Sequence, residues 1–216
     1  MLRFIDMQIC RSTRKGRSGR AQARSKRRAY TLGSRVTPAE AGRIVEGAKP
    51  ITYSGQGFSL LGEKSRFVLP PELRKSVRES GQGERVLCLA KHPRWKCLTG
   101  FGLSRADQFE AELDREEEIA LERQTEFDRD LRAQQLYGFA RVPFDDSGRF
   151  VMPERYFKLG GLTDRVFFQG GGKMFTLWNP AELAKLGEGW EDAQEACADL
   201  ETQALAGKLS SGKARK

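Results

Sequence analysis

From about Ile51 onward, apolar residues fall in short runs interrupted by glycine and proline, a texture that predicts brief strands and helices joined by tight turns. The runs repeat. Lys64-Ser-Arg-Phe-Val-Leu-Pro-Pro-Glu returns as Ser147-Gly-Arg-Phe-Val-Met-Pro-Glu-Arg, and the shared core is R-F-V-L/M-P at Arg66–Pro70 and Arg149–Pro153. In both copies a polar segment with helical spacing follows, Glu72–Ser80 and Glu154–Lys158. An acidic-Arg-Val strand opening comes next, at Glu84–Leu89 and Asp164–Gln169. Each copy then turns at glycine or proline and enters a last strand, Lys96–Phe101 and Lys173–Trp178.

The offset between copies is 83 residues at the arginines, 80 at the strand openings and 77 at Lys96 and Lys173. The loops therefore differ in length while the elements do not. Two related halves of roughly 45 residues are implied, each too small to be stable alone, so the two are expected to share one core. The boundaries expected are 51–102 for the first half, 103–135 for a helical connector, 136–186 for the second half and 187–216 for a C-terminal helix and tail. Within the connector, Phe109, Leu113, Leu121, Phe127 and Leu131 recur near every third or fourth position and predict one or two amphipathic helices. The acidic run Glu116–Glu118 is expected as a solvated face. A helix is expected after Pro180 through Leu183–Leu186, a weaker one over Trp190–Leu205, and a tail over the final SSGKARK. Strands and helices in this order predict an α+β fold.

The net charge of +9 changes this picture less than it suggests. Residues 1–50 hold 13 Lys and Arg against 3 Asp and Glu, which leaves the rest of the chain at −1. Basicity of the whole chain is thus no argument that the folded part binds nucleic acid. The run RSTRKGRSGRAQARSKRR has no apolar period and is expected to be disordered. It reads either as a non-functional extension, a misplaced start being one origin, or as a basic arm that adds phosphate contacts by counterion release.

Several function classes find little support. No run of eighteen apolar residues exists and no secretory pattern follows the N-terminal apolar patch, so no membrane association and a cytoplasmic location are expected. Cys10, Cys88, Cys97 and Cys197 form no C-x-x-C pair and His92 is the single histidine, which argues against a disulfide framework or a metal site. Catalysis by acid and base or by a nucleophile needs a convergent set for which one histidine and no G-x-S-x-G give no basis, so no enzyme activity, cofactor or small-molecule substrate is expected. Gly170–Gly172 precedes Lys173 and Met174 instead of the Lys-Ser/Thr of a phosphate loop, and reads as a strand-to-strand turn.

The chemistry lies in the repeated loop. Asp145-Asp-Ser-Gly148 suits a tight turn, because Asp and Ser bond the backbone ahead and glycine accepts positive φ. Arg149 leaves that turn at the start of a strand. Its five-donor guanidinium fits phosphate oxygens or the O6 and N7 edge of guanine, with Asp145 four positions earlier to orient it. A salt bridge that merely locks the hairpin is the competing reading, and the recurrence of arginine at Arg66 weighs against it.

D-x-x-x-R followed by an apolar strand and proline, with R-F-V-L/M-P present twice, resembles the MraZ family of bacterial transcriptional regulators. The resemblance covers about Tyr53 to Leu186 and includes Leu136–Ala140 and Lys173–Trp178. It implies two AbrB-like swapped-hairpin halves in one chain (a double-split β-α-β arrangement), assembly into a homo-oligomeric ring, and a nucleoid-associated protein. It also implies binding to short promoter repeats upstream of the division and cell-wall gene cluster. The family's DNA-contacting arginines fall on Arg66 and Arg149, with Lys64 adding charge and Asp145 and Gly148 organising the second loop. The first loop departs from the pattern: Gly62 stands at the aspartate position, Glu63 follows, and Ser65 replaces the glycine. The alternative function is a protein-interaction or antitoxin-like module on the same fold.

Overall fold

The computed structural model describes residues 51–213, so the disorder expected over residues 1–50, and Cys10 with it, lies outside the described residues. The chain enters strand β1 (Gln56–Leu60), makes a short 3-10 turn at Glu63–Ser65 and continues as β2 (Arg66–Val68). Helix α1 (Pro71–Ser80) starts with proline in the first turn, where no N–H is needed, and buries Leu73 and Val77 four positions apart. Strands β3 (Val86–Lys91) and β4 (Leu98–Phe101) form a hairpin. After a 3-10 segment come the connector helices α2 (Phe109–Glu122) and α3 (Arg129–Tyr137). The second half follows as β5 (Ala140–Pro143), β6 (Arg149–Val151), α4 (Glu154–Gly160), β7 (Arg165–Gly170) and β8 (Phe175–Trp178). Two more helices, α5 (Pro180–Leu183) and α6 (Glu191–Lys213), complete the described residues.

The strands assemble into a six-stranded antiparallel sheet, ordered β1-β7-β8-β4-β3-β5, and a two-stranded ribbon of β2 and β6. With six α-helices among the described residues this is an α+β arrangement. The sheet has an internal pseudo-twofold: β4 and β8 meet at its centre with Thr99 opposite Thr176, and each hairpin lies on its own side. The outer strands are exchanged. β1 precedes the first repeat's hairpin but pairs with β7, and β5 precedes the second repeat's hairpin but pairs with β3. Gly100 sits opposite Phe175, and a Cβ there would come within 2.5 Å of the phenyl ring. The missing side chain is what lets that ring lie across the centre of the sheet.

Successive residues 87–90 of β3 and 166–168 of β7 are buried, which requires cover on both sheet faces because side chains alternate along a strand. Val166 and Phe168 join the main core with Phe67, Phe150, Leu87 and Leu177. Phe167 faces the other way, into a smaller cluster with Trp178, Cys97, Leu183 and Cys197. Trp190 and Trp95 close that cluster edge to face at 4.8 Å. Cys88, Cys97 and Cys197 are buried free thiols, and burial pushes Cys97 up to about 12. Gly170–Gly172 turns β7 toward β8, with Gly171 N–H donating to the Met174 carbonyl at 2.9 Å. Among the described residues no helix is long and apolar enough to cross a membrane.

The connector differs from its sequence pattern in two ways. Phe109 and Leu113 are buried, but Leu121 and Leu131 are 74% and 53% exposed, because the helices touch the core only through the start of α2 and the end of α3. Glu116 and Glu117 are not a purely solvated face. Arg132 donates to Glu116 at 2.7 and 2.8 Å and Arg129 to Glu117 at 2.8 Å, so the acidic run ties α2 to α3. At the C-terminal end the helix expected through Leu183–Leu186 is the single turn α5, capped by the Asn179 side chain on Ala181 N–H. Helix α6 continues past Leu205 to Lys213, into the stretch expected as tail.

Candidate nucleic-acid interface

The ribbon of β2 and β6 is where both copies of R-F-V meet. Pairing sets Phe67 opposite Phe150, Arg66 opposite Val151 and Val68 opposite Arg149. Alternation then sends the two phenyl rings inward, their centroids 6.2 Å apart, and leaves Arg66, Val68, Arg149 and Val151 on the outer face. Arg66 and Arg149 are diagonal neighbours on that face. This places them at one site although 83 residues separate them in the chain.

The two loops that deliver these arginines have the same backbone closure. Asp145 N–H donates to the Arg149 carbonyl at 3.0 Å, and Gly62 N–H donates to the Arg66 carbonyl at 2.8 Å. Gly62 therefore occupies the aspartate position in space as well as in sequence. In the second loop the Asp145 carboxylate has two uses. Its Oδ1 accepts the backbone N–H groups of Ser147 at 3.0 Å and Arg149 at 2.9 Å, fixing the turn. Its Oδ2 accepts Nε of Arg149 at 2.9 Å and lies 4.0 Å from Nη1 of Arg66. One carboxylate thus serves both arginines. The backbone N–H of Arg149, followed by its side chain, holds the Asp145 carboxyl below the usual aspartate range.

The glycine positions differ. Gly148 has φ +81, and a Cβ there would lie 2.9 Å from the Leu69 carbonyl oxygen. Ser65 adopts φ +55 and Lys64 φ +60, so the first loop holds two side-chain-bearing residues in the left-handed region. Such a residue costs about 1–2 kcal/mol. We expect Ser65→Gly to raise stability by up to about 1 kcal/mol, part of the relief being offset by the freedom glycine has in the unfolded chain. Gly148→Ala should lower it by about 1–3 kcal/mol. Thermal melts of both variants check this, and equal melting temperatures would mean the loops are not strained as described.

Two further arginines approach the second loop. Arg85, at the start of the first hairpin, pairs with the Asp146 carboxylate, and Nη1 of Arg74 on α1 donates to the Asp146 carbonyl at 3.3 Å. Neither was singled out from sequence, where Arg85 is visible only as part of the acidic-Arg-Val strand opening. Lys64 is exposed in the first loop. A separate cavity of about 490 Å³ lies beneath the connector, lined by Phe101, Arg105, Phe109, Arg132, Tyr156 and Met174 among others. Arg105 there is buried against Glu112, with its Nε lacking a hydrogen-bond partner.

No protein-family model matches the chain. It is 31% identical over 155 residues to the transcriptional regulator MraZ of Caulobacter vibrioides, a match covering 71% of this chain and 94% of that protein. It is 30% identical over 155 residues to the transcriptional regulator MraZ of Phenylobacterium zucineum, covering 69% and 89%. Against the transcriptional regulator MraZ of Parvibaculum lavamentivorans the identity is 29% over 135 residues, covering 62% and 79%.

Proposed function

The chain belongs to the MraZ family of transcriptional regulators, and from that premise we propose that it binds DNA sequence-specifically through the paired arginine loops of its ribbon. The observation that carries this reading is the convergence of Arg66 and Arg149 on the one Asp145 carboxylate at an outward face. With Nε of Arg149 engaged by Asp145, the side chain is held in one direction and loses less rotamer freedom on binding. A two-stranded ribbon fits the major groove of B-DNA, about 12 Å wide, where a bidentate arginine on guanine is worth about 1–3 kcal/mol. The exchanged outer strands and the pseudo-twofold support the AbrB-like swapped-hairpin description, with residues 51–102 and 136–186 as its halves.

In this reading the targets are short promoter repeats upstream of a bacterial division and cell-wall gene cluster, and the protein acts at the nucleoid. The body outside residues 1–50 is nearly neutral, so one subunit offers few phosphate contacts. Assembly into a ring of identical subunits makes several weak contacts act together by raising effective concentration. The test is a titration of the purified protein against duplexes carrying one, two or three repeats from upstream of its own gene. Affinity should rise steeply with repeat number. Equal affinity for one and three repeats would remove the ring. Capture of a partner polypeptide with no DNA binding at all would replace this reading with the interaction-module alternative.

A further inference from the structure

Two of the four residues on the ribbon's outer face, Val68 and Val151, are valines. Val68 is 42% exposed and Val151 50%, in strands whose inward positions are fully occupied by Phe67 and Phe150. Both repeats place an apolar side chain at the same outward position, directly opposite the arginine of the other repeat. Cross-strand partners of this kind have Cβ atoms about 4.5–5.5 Å apart. That spacing is about one to two base-pair rises of 3.4 Å.

We infer that Val68 and Val151 read thymine C5-methyl groups within a base pair or two of the positions addressed by Arg149 and Arg66. The inference rests on the DNA-binding reading and deepens it. Methyl groups project only into the major groove, and contact with them is how apolar side chains distinguish thymine from cytosine there. The ribbon therefore presents an arginine and a valine side by side, twice, in opposite directions along one dyad. The matching DNA element is a guanine with a nearby thymine, read once by each diagonal half of the face.

The experiment removes the methyl from the DNA instead of the protein. Duplexes from upstream of the chain's own gene are prepared with single thymines replaced by uracil, which deletes only the C5-methyl group. Wild-type protein should lose about three- to five-fold in affinity at a uracil next to a contacted guanine, the worth of one methyl returned to water. Val68→Thr and Val151→Thr keep strand propensity and shape while replacing one methyl by a hydroxyl. They should melt normally, bind the unmodified duplex more weakly, and distinguish uracil from thymine less than wild type does, since threonine retains one methyl. Undiminished wild-type binding to every uracil duplex would overturn the inference while leaving DNA binding intact. Absence of binding to the unmodified duplex would overturn both. Loss of the oligomer in the threonine variants, seen by sedimentation, would assign the valines to contacts between copies and overturn it as well.

Discussion

Replacing Arg66 and Arg149 together with alanine should abolish sequence-specific DNA binding and leave thermal stability nearly unchanged. Each bidentate arginine contributes about 1–3 kcal/mol, so the pair removes about 2–6 kcal/mol per chain before assembly multiplies the loss. Their ion pairs with Asp145 are half-exposed, and such pairs are worth at most about 1 kcal/mol to stability. The single variants should rank unequally. Arg149 is held at 2.9 Å by the carboxylate and by the turn it closes, whereas Arg66 lies 4.0 Å from the same oxygen. Arg149→Ala should therefore weaken binding more than Arg66→Ala. DNA titrations of all three variants at one fixed salt concentration, with melting curves beside them, decide the matter. Wild-type binding by the double variant would sink the recognition role, and unfolding of Arg149→Ala would return its arginine to the hairpin-locking reading.

Phe150→Ala should show the reverse pattern, a large loss of stability with the recognition side chains untouched. The ring is 1% exposed, packs 6.2 Å from Phe67 and anchors the ribbon to the main core. Deleting a buried phenyl costs about 3–5 kcal/mol in transfer and cavity terms. For a domain of this size that lowers the melting temperature by roughly 6–20 °C. Below the new transition the variant should still bind DNA, since Arg66, Arg149 and Asp145 remain. A melting temperature within 2 °C of wild type, on the order of half a kcal/mol, would mean the ribbon is not seated on the core as described.

Much of this architecture is legible along the chain. The recurrence of R-F-V at Arg149 placed the second strand without any knowledge of pairing, but two adjacent apolar residues do not say that phenylalanine turns inward and valine outward. The polar segment with helical spacing at Glu72–Ser80 is the first helix, α1. The connector forms two helices, within the one or two its spacing predicts, but a helix pair held partly by Arg129 and Arg132 ion pairs leaves Leu121 and Leu131 in solvent. Local pattern carries no information about which distant strand a residue will meet. The approach of Asp145 to Arg66, and of Arg74 and Arg85 to the second loop, depends on the pairing of β2 with β6 and of β3 with β5. Gly62 looked like a missing carboxylate in its own loop. The fold places the second loop's aspartate near the arginine of the first.

The exchange of outer strands also sets an order of events during synthesis. β1 finds its partner in β7, and Gln56 bonds Gln169 across 113 positions of sequence. At ribosomal rates of about 5–20 residues per second, β1 waits roughly 6–20 s before that partner exists. Until Pro143 is made β3 also lacks β5, so for most of this interval the nascent first repeat carries an open sheet edge beside apolar residues such as Leu87 and Leu89. Contacts this distant place the folding transition late and make it slow. A ribosome stalled between Phe101 and Ala140 is therefore expected to hold a first repeat whose β1 and β3 both lack their outer partners.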